Sequence, residues 1–455
     1  MAAMTSLTWN DLPGAATRAW GLTTLREMAR DYLATLARQQ PYGDVVRQRI
    51  LRERIVDVFD PELLRRLMLE HADALIRWER GPEVFSQTLG QSVLVTEGPV
   101  WHRQRRLLMP AFAHKRMAGY AAFMVDAGSA GLDRIQPGPV EMSGLFSHIT
   151  MDVILRVLFG TQAGDQAAPM AAATQHLSEV GFREMFWPMT LPDWLPLPGK
   201  AKKRRSLRSL FGFLQQQLDA PPRPDGADLL SGLRALRDEH DGAVLSEQAV
   251  FDECMTIFQA GHETTATALL WWSWLMASHP EAQARAAAEV AAVIGRRLPT
   301  ADDAAALPWL SASLKEAMRL YPPAAALMTR RLSRGVTLPW QGRQLQLDAG
   351  VMLRVTPYLL HRDPRWWTEP EAYRPERFMP GAPEVPRGAY LPFGQGPRVC
   401  LGQHFAMLEM TLVAALLLQR FELQPGNAAA PKPRLAVTLR PEGGLTLALQ
   451  PRRPA

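Results

Sequence analysis

The sequence contains few cysteines and no long hydrophobic run. Only Cys254 and Cys400 occur among 455 residues, so a disulfide framework is excluded and a reducing compartment is indicated. The most apolar windows, residues 266–277 and 411–418, are shorter than the roughly 20 residues that span a bilayer. Residues 1–22 lack the basic start and apolar core of a secretion signal. We therefore expect a soluble, cytoplasmic protein.

The composition lacks the extremes of disordered or collagen-like chains. Hydrophobic residues make up 47% and charged residues 21%, which is typical of a globular protein. The formal net charge of +6 is spread over the whole chain, so it favours an acidic partner protein over a nucleic acid. No repeat period is visible. We predict a single catalytic domain over residues 1–455, with no fused reductase.

Helical periodicity dominates the chain. Apolar residues recur at three- and four-residue spacing in residues 153–159, 206–218 and 281–293. Strand signals are confined mainly to residues 345–355 and 435–449, between glycine and proline residues. These patterns predict a mainly α protein with a small β-rich subdomain, an α+β fold.

Three proline clusters interrupt the helical pattern, at residues 188–198, 221–224 and 370–386. Each is short and accompanied by aromatic residues, Trp194 among them, and large aromatic side chains usually seek burial. The clusters are therefore predicted to be packed loops and not domain linkers.

One predicted helix is unusually long. The helical pattern continues from residue 247 to residue 278, a length of about 48 Å at 1.5 Å per residue. Ser246 is the predicted N-cap, although Ala249 at the third helical position excludes a full capping box. Such a helix would cross the whole domain.

Residues 260–265 of this helix read Ala-Gly-His-Glu-Thr-Thr. Glycine costs about 1 kcal/mol relative to alanine in a helix interior, and Thr264 can bond back to the Ala260 carbonyl. One interpretation is a notch for a small ligand, with Glu263 and Thr264 relaying protons; the other is a helix kink with Glu263 on the surface. A zinc-protease signature is excluded because residue 266 is alanine.

Residues 393–402 read Phe-Gly-Gln-Gly-Pro-Arg-Val-Cys-Leu-Gly and precede a helical pattern at residues 403–418. The glycines allow close approach of a ligand, and a cysteine before a helix favours thiolate. Pro397 and the missing preceding strand exclude a dinucleotide fingerprint. The alternative is that Cys400 is only a small buried hydrophobic residue.

Two weaker patterns complete the set: Glu316 and Arg319 three residues apart, and Trp101 and Arg105 four residues apart. Either pattern alone predicts no more than a surface pair or ordinary packing. In this order and spacing, however, the motifs make nearly the whole chain resemble the cytochrome P450 family of haem-thiolate monooxygenases.

The resemblance implies a haem b cofactor between the long helix and the cysteine loop, with Cys400 as the iron ligand. A thiolate ligand favours cleavage of the O–O bond. Glu263 and Thr264 would then supply protons, whereas Cys254 would be structural. By the same resemblance, the cofactor-binding residues are Trp101, Arg105, Arg330, Phe393, Arg398, Gly402 and Gly261, and the structural triad is Glu316, Arg319 and Arg377. Arg331 is the alternative to Arg330.

The resemblance also implies an apolar substrate, such as a fatty acid or a terpenoid or carotenoid, and consumption of O2. The predicted substrate pocket contains Val93, Phe182, Phe186, Ala260, Ala325, Leu327 and Leu445, although these side chains equally suit an ordinary core. No flavin or iron–sulfur module fits in the chain, so electrons would come from a separate ferredoxin or flavodoxin with its reductase.

Two basic clusters have open interpretations. Arg103, Arg106, Lys115 and Arg116 are predicted either to dock the electron donor or to be solvated helix charges. The basic run at residues 200–208 either touches a membrane surface or forms a solvated helix start.

Two other activities remain open. A peroxide-driven peroxygenase typically lacks the acid–threonine pair, which is present here as Glu263 and Thr264. A non-catalytic haem sensor would have no need of Thr264. The leading hypothesis is a monooxygenase that inserts one oxygen atom into a C–H bond or a double bond.

Overall fold

The computed structural model describes residues 5–16, 19–162, 164–187, 189–221, 228–237, 242, 244–326, 328–426 and 430–452, without the side chains of residues 19, 114, 115 and 165. The α-helices are α1 (Leu22–Arg30), α2 (Tyr32–Ala37), α3 (Pro61–Glu70), α4 (Arg80–Leu89), α5 (Gly98–Leu108), α6 (His114–Leu132), α7 (Met142–Phe159), α8 (Ala167–Met185), α9 (Lys200–Asp219), α10 (Leu229–Ala235), α11 (Glu247–Ser278), α12 (Pro280–Val293), α13 (Pro308–Leu320), α14 (Pro357–Leu360) and α15 (Gln403–Arg420). The strands are β1 (Ser6–Leu7), β2 (Val45–Ile50), β3 (Glu53–Val58), β4 (Leu75–Arg77), β5 (Gly138–Glu141), β6 (Met328–Leu332), β7 (Val336–Trp340), β8 (Arg343–Leu347), β9 (Met352–Val355), β10 (Phe421–Pro425), β11 (Pro433–Leu435), β12 (Leu439–Pro441) and β13 (Thr446–Pro451).

The chain divides into two compact units. The first comprises residues 1–79, 319–372 and 383–400, and the second comprises residues 80–318, 373–382 and 401–455. Helices dominate the second unit and sheets dominate the first. The mainly α fold with a β-rich part is therefore as predicted.

The first unit is built on a five-stranded sheet in the order β2-β3-β9-β6-β4. Strands β3 and β9 run parallel, and the other neighbours are antiparallel. Val56 and Leu353 of this sheet pack in one apolar core with Leu67 of α3, and all three are almost fully buried. A smaller sheet, β1-β8-β7, contributes Leu345 to the same core. This core supports the loop that ends at Cys400.

The second unit is organised around α11, which packs against α7 along much of its length. Trp271 and Trp272 of α11 are fully buried, and each indole N–H has a partner: the Leu439 carbonyl at 2.6 Å and Ser313 Oγ at 2.9 Å, respectively. A buried indole keeps its stabilising apolar contacts only if its N–H is bonded, so these partners fix the position of α11.

The predicted long helix is confirmed with the same bounds, residues 247–278. Ser246 is its N-cap, since the Ser246 hydroxyl accepts a hydrogen bond from Ala249 N at 3.2 Å. The predicted helices 153–159, 206–218 and 281–293 lie within α7, α9 and α12. The two predicted strand regions contain β9 and β12 and overlap β8, β11 and β13.

The expectation of packed aromatics in all the proline clusters is wrong for the first of them. Trp194 is 75% exposed. Its neighbour Asp193 instead points inward, where its carboxylate bonds to Lys200 Nζ at 2.7 Å. The loop therefore pairs Asp193 with Lys200 and leaves the ring of Trp194 exposed to solvent. Most of the cluster at 221–224 lies outside the described residues.

Within the described residues, α7 has the length and apolar composition of a membrane-spanning helix. However, 72% of that segment is buried, and α7 packs against α11, α6 and α8. Core helices of soluble proteins have the same properties, so this helix alone is weak support for a membrane span.

Candidate active site

The cysteine loop, residues 393–400, is a tight turn in the first unit. It is closed by a hydrogen bond from Cys400 N to the Phe393 carbonyl at 2.9 Å. Gly394 and Gly396 both have φ of +77°, and a Cβ on Gly396 would come within 2.3 Å of the Met68 carbonyl oxygen. Glycine is therefore required at position 396 by both conformation and space.

The two cysteines lie in opposite environments. Cys400 is exposed at the end of its loop, three residues before α15 begins, whereas Cys254 is completely buried within α11. Burial raises the pKa of the Cys254 thiol far above its usual range. Because metals bind the thiolate, Cys400 is the cysteine that fits a metal ligand and Cys254 is not.

Adjacent arginines of β6 differ in their partners. Arg331 forms ion pairs with Glu53 at 2.9 Å and Glu79 at 2.8 Å. Arg330, which points to the other face of the strand, is half-buried and donates to the Thr329 carbonyl at 3.0 Å. Because Arg331 is already paired with two carboxylates, Arg330 is the better candidate for a cofactor carboxylate.

The polar segment of α11, residues 260–265, contains both accessible and buried residues. Ala260 is exposed and Thr264, one turn later on the same face, is half-buried, while His262, Glu263 and Thr265 are buried. The Thr264 hydroxyl donates to the Ala260 carbonyl at 2.8 Å, as predicted. Ala260 and Thr264 are thus the accessible residues of this polar segment in the second unit, with Gly261 partly accessible between them.

Gly261 has a packing reason of its own. A Cβ at this position would lie 2.9 Å from Ile154 Cδ1 of α7. The helix is continuous through this position, so the glycine allows α7 and α11 to approach closely without a break. A ligand contact for Gly261 stays a prediction.

Glu263 is buried and fully bonded within the second unit. Its carboxylate accepts hydrogen bonds from Ser178 Oγ and Thr438 Oγ1, both at 2.7 Å, and pairs with Arg440 at 2.9 Å. The alternative of a surface Glu263 is wrong, because α8 and β12 cover it. Beside it, burial lowers the pKa of His262 to about 4, so that this ring is neutral at pH 7.

Glu316 and Arg319, from α13, are both fully buried. Glu316 accepts from Arg374 N at 2.9 Å and pairs with Arg377 at 3.3 Å, both in the second unit. In the first unit, Arg319 donates to three carbonyls, those of residues 361, 370 and 372, at 2.6 to 3.0 Å. These contacts make both side chains structural anchors.

Trp101 and Arg105 lie one turn apart on α5. Trp101 is 4% exposed, and the Arg105 guanidinium lies 5.8 Å from the centre of its ring. This cation–π contact orients the half-buried Arg105. The cofactor role of both residues remains a prediction.

The residues of the predicted substrate pocket differ in burial, each within its own unit. Val93, Phe182 and Phe186 are half-buried, with the two phenylalanine rings in an edge-to-face pair 5.2 Å apart. Ala325 and Leu445 are buried in their own units, and Leu327 lies outside the described residues.

The residues of the two basic clusters differ in exposure and in ion pairing. Arg106 and Arg116 are exposed and Arg103 is half-buried, while the Lys115 side chain is outside the described part. In the basic run, Lys200 and Lys203 are buried and pair with Glu184 and Asp193. The exposed cations of that run are Lys202, Arg205 and Arg208.

Several polar residues near the motifs were not predicted. Arg440, Thr438 and Ser178 surround Glu263, and they come from elements far away in sequence. The reason to expect such partners is the burial of Glu263, since burying an unpaired carboxylate costs free energy. No local sequence pattern identifies them.

The comparisons with known proteins show the family of the chain. The family model for Cytochrome P450 matches residues 20–448. Cyclooctatin synthase of Streptomyces melanosporofaciens is 34% identical over 429 residues, covering 91% of each chain. Cyclooctat-9-en-7-ol 5-monooxygenase of the same organism is 31% identical over 409 residues, covering 86% of this chain and 85% of the relative. Cytochrome P450 4A7 of Oryctolagus cuniculus is 31% identical over 388 residues, covering 80% and 75%.

The chain belongs to the cytochrome P450 family. It is a monooxygenase, an oxidoreductase that uses haem, O2 and an external source of electrons. The residues present fit the haem group: Cys400 is the exposed cysteine, and beyond its two chain neighbours no atom of the described residues lies within 4 Å of a Cβ built on Gly402.

Proposed function

We propose that the protein hydroxylates or epoxidises an isoprenoid, with haem b bound through Cys400. The observation that carries the proposal is the exposed Cys400 at the end of a closed glycine turn, in a chain whose Cys254 is buried. The names of two relatives, cyclooctatin synthase and cyclooctat-9-en-7-ol 5-monooxygenase, favour a terpenoid over a fatty acid. Bound haem supplies the activation of O2.

The arginines and Trp101 would hold the haem carboxylates. Arg105, Arg330 and Arg398 are half-buried cations, and such cations bind carboxylates more strongly than fully solvated ones do. Trp101 would keep Arg105 in place through the ring contact at 5.8 Å. Phe393 would pack near the sulfur, because its carbonyl is already bonded to Cys400 N.

Thr264 and Glu263 would deliver protons. Thr264 is half-buried and its hydroxyl is bonded to the Ala260 carbonyl of its own helix, so it needs only a χ1 rotation to donate elsewhere. Glu263 is bonded to Ser178, Thr438 and Arg440, so proton delivery through Glu263 requires at least one of these bonds to break. Arg440 is one-quarter exposed and links this network to solvent.

The electron donor would be an acidic ferredoxin or flavodoxin, and the protein would act in the cytoplasm. Arg103, Arg106 and Arg116 are accessible cations on α5 and α6. Electrostatic attraction mainly raises the rate of association. Replacing Arg103 and Arg106 by Glu should raise the Michaelis constant for the donor and leave turnover at saturating donor unchanged.

The test of the proposal is an optical titration of the purified ferric protein. A diterpene alcohol should displace a water ligand and shift the iron to high spin, whereas a saturated fatty acid of similar length should not. A shift with the fatty acid alone would overturn the substrate assignment. The carbon monoxide complex of the reduced protein should have the spectrum of a thiolate ligand, and its absence would overturn the whole assignment.

A further inference from the structure

Two adjacent acids on α11, Asp252 and Glu253, contact a segment that no motif explains. They lie seven or more residues before the polar segment of α11, and they are 5% and 0% exposed. Both carboxylates face residues 90–96, here called the 90–96 loop, which joins α4 to α5. All of these residues belong to the second unit.

The acids bond the backbone of the loop directly. Asp252 Oδ2 accepts from Gln91 N at 2.7 Å, and Glu253 Oε1 accepts from Val93 N at 2.9 Å. One turn further along α11, Thr256 Oγ1 donates to Ser92 Oγ at 2.5 Å. Three consecutive residues of the loop are therefore bonded to one face of α11.

Helix α5 holds the loop from the other end. Buried Gln104 donates to the Gln91 carbonyl at 2.6 Å, and it accepts from Thr96 Oγ1 at 2.5 Å. Gln104 lies on α5 between Trp101 and Arg105. The position of the loop is thus coupled to the helix that carries both of those residues.

The turn at Gly90 is fitted to Asp252. Gly90 has φ of +57°, and a Cβ there would lie 2.1 Å from Asp252 Oδ1. Any larger residue would have to displace either the loop or the carboxylate.

The two acids are not equally satisfied. Asp252 has a partner on each oxygen, since Oδ1 also accepts from Gln248 at 2.8 Å. Glu253 Oε2 is buried with no hydrogen-bond partner among the described residues. Burial, with a smaller contribution from Asp252, raises the pKa of Glu253 to about 8. Glu253 therefore bonds the loop as a neutral acid at pH 7. Its burial removes the carboxyl group from water, which costs free energy.

We propose that Asp252 and Glu253 are positioning residues that place Val93 for substrate binding by fixing the 90–96 loop on α11. The inference rests on the proposed function, because Val93 is a predicted substrate contact. Water or other backbone groups usually satisfy the N–H groups of loops, so two buried acids bonded to this loop indicate that its position is fixed at a cost in stability.

The first measurement is amide hydrogen exchange of the full-length holoprotein. Asp252→Ala and Glu253→Ala should each speed exchange of Gln91 and Val93 at least tenfold. Glu253→Gln should retain protection of Val93, because the amide oxygen still accepts. Glu247→Gln, which removes a carboxylate exposed on the same helix, is the matched control and should change nothing. Unchanged exchange in both alanine variants would overturn the proposal.

The second measurement is optical titration of the same variants with a diterpene alcohol. Glu253→Ala should raise the dissociation constant about tenfold, Glu253→Gln should restore it, and the thiolate spectrum of the carbon monoxide complex should persist in both. If the alanine variants do not fold, Gly90→Ala should give the same loosened loop and weakened binding without altering either acid.

The outcomes separate the two proposals. A faster-exchanging loop with an unchanged dissociation constant would mean that the acids do not position a substrate contact, and it would overturn the inference. A missing thiolate spectrum in the wild-type protein would contradict the proposed function, whereas the exchange experiment would still report on the loop.

Discussion

The loop that ends at Cys400 exposes its cysteine, whereas the polar segment of α11 turns Glu263 into the interior of its unit. One backbone hydrogen bond within the loop, from Cys400 N to the Phe393 carbonyl, closes its turn. Glu263 needs Ser178, Thr438 and Arg440 to make its burial tolerable. Both segments match motifs by which the chain resembles the family, yet only the loop motif depends on local sequence alone.

The comparison shows how far a motif can be transferred. The turn that presents Cys400 depends on glycine conformation and one side chain, and residues 393–402 contain both. A buried acid depends on partners that the fold brings from elsewhere. The predicted role of Cys400 therefore depends on neighbouring residues in the sequence, whereas the predicted role of Glu263 depends on contacts across the second unit.

The largest effect is expected at Cys400. Cys400→Ala should eliminate the thiolate spectrum of the carbon monoxide complex and all product formation, because no other residue of the loop can supply a sulfur. Cys254→Ala is the control and should retain both, with a loss of stability near 1 kcal/mol for a small buried side chain. A thiolate spectrum in Cys400→Ala would refute the assignment.

The next effect concerns folding. Glu316→Ala would leave the Arg374 N–H and the half-buried Arg377 without their carboxylate partner. Loss of one partner from a buried pair costs about 3–5 kcal/mol, so we expect a marked fall in the yield of folded holoprotein. Chemical denaturation followed by circular dichroism measures the loss in free energy of unfolding. A stability close to wild type would show that the pair is dispensable.

Thr264→Ala should act on chemistry and not on folding. Among the described residues, its hydroxyl bonds to the Ala260 carbonyl of its own helix and to no other group, so the melting temperature should stay within a few degrees. The ratio of product to reductant consumed should fall about tenfold, with the difference released as hydrogen peroxide. Product and peroxide are quantified in parallel, and unchanged coupling would remove Thr264 from the proton path.

Glu253 predicts a pH effect on stability. Its pKa is raised to about 8 in the folded protein, so its favourable contribution is complete below the ordinary value of 4.5 and is lost as pH rises through 8. The melting temperature should therefore fall by a few degrees more between pH 6 and pH 9 in the wild type than in Glu253→Gln. Parallel pH profiles would show that Glu253 does not titrate in this range.

The smallest effect concerns the loop that contains Trp194. Trp187 and Trp194 are 55% and 75% exposed, and α9, which follows them in the chain, carries exposed cations. Binding to anionic vesicles at low salt should weaken several-fold when both are changed to Ser. Trp20→Ser removes an equally exposed ring, 73%, and should have no effect. Absence of vesicle binding by the wild type would exclude a membrane contact at this loop.

Periodicity and capping predicted α11 with its correct bounds, because a helix is specified by neighbours three and four residues apart. Trp194 shows the opposite case. Its aromatic character predicted burial, but Lys200, Lys203 and Arg204 bond the inner side of that loop and leave the ring outside. Those contacts arise between α9 and the loop and have no local signature.

The sequence by itself determined the fold class, the family and the cysteine that fits an iron ligand. Each of these depends on short-range order: helical periodicity, glycine conformation, and motif spacing. The tertiary structure alone decided which polar groups are already paired with other protein groups. It paired Arg331 with two glutamates, enclosed Glu263 in a network from three elements, and bonded the 90–96 loop to two buried acids. The reason is that burial and charge pairing depend on distances between segments that are remote in the chain.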